Sequence, residues 1–144
     1  MNAIPPLRRF ALAGTDVALA ALLFHGQIAA ALITRGDDLL RAGDIDGAVA
    51  AYERATQLGG TTSAFDRLAF YLLVRRQPGD TMRALRVANA ALARVPGDPA
   101  LLSDRAFASL RLHRFADAAR DFAAAGAAAH DLRFTRLAHR LALR

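Results

Sequence analysis

The 144-residue sequence contains no cysteine, no lysine and a single glutamate, Glu53. Without cysteine there is neither a disulfide framework nor a thiolate metal site, and the compartment stays open. All 19 basic residues are therefore arginine and the other acids aspartate, a bias expected of GC-rich coding sequence. β-Branched clusters that could start strands are few. Alanine, the best helix former, supplies much of the 54% apolar content, so an all-α chain is expected. Catalytic signatures are missing as well. His113, His130 and His139 lack metal-ligand spacing and clustered carboxylates, and there is no Gly-rich phosphate loop, nucleophile elbow or paired-acid motif. No enzyme activity, metal or cofactor is expected. The net charge of +6 suits an acidic protein partner or anionic lipid. Nucleic acid is disfavoured, because arginines alternate with aspartates and no aromatic platform accompanies them.

What is present is a repeat. Ala48, Tyr52 and Ala55 place small, large and small side chains on one helical face; Ala84, Ala88 and Ala91 follow after 36 residues, and Ala118, Phe122 and Ala125 after a further 34. A period in this range marks stacked helical hairpins, since one hairpin cannot bury its apolar face alone. Breakers divide the chain accordingly: Gly43-Asp44, Gly59-Gly60-Thr61-Thr62, Pro78-Gly79-Asp80, Pro96-Gly97 and His113-Arg114. They predict hairpins over 36–58, 65–95 and 99–129 and a last helix from Leu132 to Arg144. Ser63 is the expected cap of the third helix, and Asp98 with Pro99 in the first turn opens the fifth.

The N-terminal part differs. Pro5 and Pro6 leave residues 1–9 irregular, and Thr15 or Asp16 caps a run, Val17 to Thr34, with no formal charge. Eighteen such residues just reach the length of a membrane-spanning helix. Domain limits of 1–34 for a tail and anchor and 35–144 for the repeats follow. Alternatives are a secretory signal with Ala29-Ala30-Ala31 as its cleavage site, or a hydrophobic helix packed on the repeats of a soluble or exported protein. No breaker follows Thr34, so one helix is expected from about Asp16 to Arg41. Arg8 and Arg9 before the run resemble a signal-anchor start, which places the repeats on the periplasmic side. His25 is an ionisable group inside this run, with Ala21 one turn before it. The pair resembles the Ala and His of light-harvesting helices, which implies tetrapyrrole ligation as a lesser alternative.

Taken together, the hairpins resemble tetratricopeptide repeats (TPR). Unit three carries the resemblance best, through Pro96, Ala106, Phe115, Ala118, Phe122 and Ala125. Unit one adds Gly36, Leu39, Gly43, Ala48, Tyr52 and Ala55, and unit two ends in the characteristic Ala91–Pro99 segment. The resemblance covers about residues 29–132 and implies three hairpins stacked as a right-handed solenoid, a C-terminal capping helix, and a groove lined by each unit's first helix. The implied groove positions are Ile33, Asp37, Leu40 and Arg41; Asp66, Ala69, Leu73, Arg76 and Gln77; and Ser103, Phe107, Leu110 and Arg111. The Lys and Asn set by which chaperone-binding members hold a terminal carboxylate is absent. Arg41, Arg76 and Arg111 form a candidate basic ladder. Arg133, Arg136, Arg140 and Arg144 form a stripe on the last helix that suits lipid or an acidic surface. The expected function is a protein-binding scaffold, assembly factor or accessory subunit of a bacterial membrane complex, held at the membrane through residues 10–34.

Overall fold

Computed as a structural model, the chain is described for the backbone of residues 6–143 and the side chains of residues 24–143. Among them every regular element is a helix: α1 (Pro6–Arg41), α2 (Ile45–Gln57), α3 (Thr62–Arg75), α4 (Asp80–Leu92), α5 (Pro99–Arg111), α6 (Phe115–Ala129) and α7 (Leu132–Ala142). Each packs on its neighbours in sequence, and α3 also lies against α5. The architecture is thus three antiparallel pairs in order, closed by α7.

The recurring triplets build the interior. Ala48, Tyr52, Ala55, Ala84, Ala88, Ala91, Ala118, Phe122 and Ala125 are all between 0 and 2% exposed. Alanine brings the helices of a pair close, and the aromatic fills the space beside it. Gly36 shows how close: a Cβ there would sit 2.5 Å from the Tyr52 ring. The Tyr52 hydroxyl donates to Asp37 (2.6 Å), and Arg67 of α3 donates to the same oxygen (2.7 Å), so one carboxylate ties α1, α2 and α3 together. Burial beside Asp37 raises the Tyr52 pKa, because the phenolate would be desolvated and repelled.

Two further ion pairs repeat this tie along the stack. Asp80, 1% exposed, accepts from Arg75 at 2.9 and 2.8 Å and from the Gln77 amide at 3.0 Å. The Arg75 guanidinium holds its carboxyl below the ordinary range. Arg105 grips Asp121 of α6 through two bonds of 2.7 Å. Asp98 caps α5, accepting from Ala100 and Leu101, with Pro99 in the first turn as expected. At the far end Phe134 stacks on Phe122, and Ala138 and Leu141 are buried against α6.

Several boundaries differ from expectation. α1 opens at Pro6, a tolerated first-turn position for proline, so Thr15 and Asp16 lie inside the helix instead of capping it. Thr61, not Ser63, precedes α3, and α4 ends at Leu92. The first repeat interval is longer by two residues; α3 has 14 residues against 13 in α5, and four residues, 76–79, join α3 to α4 against three at 112–114. Most of the expected anchor, residues 10–23, falls on side chains outside the described residues. Among the described residues no helix is long and apolar enough to cross a membrane.

Candidate partner-binding groove

Where α3 and α5 run side by side, their outer faces enclose an open cavity of about 440 Å³ lined by Phe70, Leu73, Val74, Arg76, Asp104, Phe107 and Arg111. Three of these are large apolar side chains held in water: Phe70 is 48%, Val74 42% and Phe107 39% exposed. Phe107 meets Phe122 edge-on at 4.9 Å, so its base is packed and its outer edge is open.

Two guanidinium groups edge the cavity. Arg76 ends α3 in the left-handed conformation (φ 60°), which a non-glycine residue seldom adopts. Arg111, in the last turn of α5, donates to the Leu73 carbonyl at 2.5 Å. That carbonyl lies in the last turn of α3, where the Gln77 amide has turned to Asp80 instead, so the arginine satisfies an orphan acceptor. Among the described residues neither Arg76 nor Arg111 pairs with a carboxylate. Partial burial and the nearby Arg76 charge lower the Arg111 pKa, as two like charges sharing one apolar site require.

Asp104 forms the polar part of the wall. It is 4% exposed, and its Oδ2 has no hydrogen-bond partner among the described residues. Burial pushes its carboxyl up to about 8, helped by the carboxylates of Asp66 on α3 and Asp98 at the head of α5. Asp66 is itself raised, by desolvation first and the Asp98 charge second. Desolvation and the neighbouring acids thus favour the protonated form of Asp104 at neutral pH.

The expected groove residues are distributed unequally. Leu73, Arg76, Phe107 and Arg111 meet in the cavity, with Asp66 bonded behind Asp104. Asp37 is engaged by Tyr52 and Arg67, and Arg41 pairs with Asp38 on the exposed face of α1. Gln77 turns to Asp46 (3.0 Å), and the Ser103 hydroxyl donates to the Ala100 carbonyl (2.8 Å). Arg133 pairs with Asp131 at the head of α7. Arg136 and Arg140 are exposed, and Arg144 lies outside the described residues. His25 is on an exposed part of α1, and the Ala21 side chain is outside the described set. Among the described residues no group of His, Asp or Glu could hold a metal ion.

Phe70, Val74 and Asp104 were not expected at the cavity. On α3 the exposed line runs through 70 and 74, whereas Ala69 (0%) and Leu73 (5%) turn mainly inward. An aromatic followed four residues later by valine was the available signal. In a helix with leucine and alanine on adjoining faces, that signal has little contrast.

The arrangement of paired helices has a counterpart among solved structures. This chain is similar to the crystal structure of the P58(IPK) TPR domain, with a TM-score of 0.62, 22% identity, and coverage of 80% of this chain and 34% of that one. The fold is TPR-like. This chain thus spans about a third of the TPR-domain chain it matches. No family model matches the sequence, and no curated protein matches it. A TPR-like array presents the first helices of successive pairs side by side, which is how α3 and α5 come to share the cavity.

Proposed function

We propose that this chain is a protein-binding module, a scaffold or accessory subunit of a larger assembly, whose α3/α5 groove holds a segment of its partner. The observation that carries this reading is the apolar wall of Phe70, Val74 and Phe107 left in water between two arginines that have no carboxylate partner among the described residues. Burying three such side chains against a partner is worth roughly 1.5–3 kcal/mol each before the costs of association. A photo-crosslinking residue placed at Phe70 in cells tests it. Covalent attachment to a protein from position 70, and not from exposed Ala116 on the other helix layer, is the expected result. Equal labelling from both positions would refute the assignment.

The second part of the proposal concerns location. The uncharged run from Val17 to Thr34 supports a single membrane span, with the repeats on the periplasmic side. The bacterial membrane complex expected from the sequence is the corresponding setting. Alkaline carbonate extraction should leave the chain in the membrane pellet; its release into the supernatant would favour the soluble alternative.

A further inference from the structure

Building on the groove reading above, we propose that the α3/α5 cavity takes an acidic peptide segment of a partner protein. In that segment a carboxylate side chain neighbours a bulky apolar one. The apolar group enters between Phe70 and Phe107, and the carboxylate meets Arg76 and Arg111.

Four features specify this occupant. The first is charge: Arg76 and Arg111 lack carboxylate partners among the described residues, whereas Arg75, Arg83 and Arg105 are consumed by internal ion pairs. Two uncompensated guanidiniums at one rim attract an anion and repel a cation. The second is orientation, because the bond from Arg111 to the Leu73 carbonyl fixes that guanidinium and leaves its other donors uncommitted. The third is the wall. Phe70, Val74 and Phe107 are too apolar for a small hydrophilic anion and match a leucine- or phenylalanine-sized side chain.

The fourth is Asp104. Its carboxyl supplies the polar part of an otherwise apolar and cationic lining, a partner for the backbone N–H that a peptide carries next to every side chain. Burial raises its carboxyl to about 8, which lessens the charge it sets against the two arginines. The groups facing it are Asp66, with Arg67 beside that residue on α3, and Asp98 on its own element. Arg76 and Arg111 are at the same cavity. The segment's carboxylate is therefore recognised at the rim and its backbone at the wall.

Panning a random dodecapeptide phage library against the immobilised full chain tests the proposal. The expected enrichment is a motif joining Asp or Glu to Leu, Ile, Met or Phe. The best peptide, synthesised, should bind about tenfold more weakly to Arg76→Gln and to Phe70→Ala, and unchanged to Arg86→Gln on α4. These positions are exposed, and circular dichroism checks that each variant is folded. Enrichment of basic or purely apolar motifs, or indifference to Arg76→Gln, would overturn the acidic occupant. The groove reading would survive such a result if Phe70→Ala still weakened binding. No enrichment, or indifference to Phe70→Ala, would overturn both. Light scattering should find a monomer; a dimer dissolved by Phe70→Ala would mean that a second copy fills the groove and would overturn the peptide.

Discussion

Replacing Asp104 by asparagine should remove a pH dependence that the carboxyl pair imposes on stability. In the folded chain Asp104 keeps its proton up to about pH 8, against 3.8 as its ordinary value. Between those limits the folded state binds a proton that the unfolded chain has released, so stability falls as pH rises. The contribution is fully present below pH 4 and lost by about pH 8. At about 1.4 kcal/mol per pH unit, the part lying above pH 5.5 has a ceiling of about 3 kcal/mol; relaxation and water entry should bring it to about 2. The side-chain amide introduced by Asp104→Asn can donate to Asp66 as the protonated acid does, and it has no proton to lose. Urea unfolding of the full chain in mild detergent, followed by helical circular dichroism at pH 5.5, 7 and 9, measures the effect. The wild type should lose about 2 kcal/mol across that range relative to Asp104→Asn, and the variant should be the more stable at pH 9. Parallel curves for the two proteins would refute the raised Asp104 carboxyl.

Other perturbations test the stack itself. Gly36→Ala drives a methyl into the Tyr52 ring, 2.5 Å away, and should cost about 1–3 kcal/mol in thermal or urea unfolding; an unchanged midpoint would show that α1 and α2 are not so close. Tyr52→Phe removes the bond to Asp37 but keeps the ring, and should cost about 1 kcal/mol by the same measurement. Arg75→Met takes both bidentate bonds from buried Asp80 and should cost about 3–5 kcal/mol at pH 7. Because Asp80 is ionised in the native pair, that deficit should shrink as pH falls through the carboxyl range and largely vanish in Arg75→Met/Asp80→Leu. A deficit independent of pH would assign the loss to packing.

Much of the stack was legible because it rests on local rules. Three triplets at Ala48, Ala84 and Ala118 and their partners mark where helices must approach closely, and only small residues allow it. Asp98-Pro99 and Pro78-Gly79 punctuate the chain by backbone chemistry that any neighbourhood would respect. The helical pairs and the closing α7 follow from those features. α1 starts earlier than the sequence pattern predicts, because a proline that cannot sit inside a helix can still open one.

The groove was legible only in part, for a physical reason. Arg76, Phe107 and Arg111 follow from the register of a repeat, but which adjoining face of α3 meets solvent depends on how α3 tilts against α2, α4 and α5. That tilt exposes Phe70 and Val74 and buries Ala69. Asp37 and Gln77 are on suitable faces, yet Tyr52, Arg67 and Asp46 reach them across helix boundaries and use their hydrogen-bonding capacity. Asp66 and Asp104 belong to different helices, and neither is unusual alone. Periodicity along the chain determined which residues form the pairs. The raised carboxyls of those two residues, and the arginines left without carboxylate partners among the described residues beside them, were decided by tertiary packing, because burial and charge proximity exist only once α3 lies on α5.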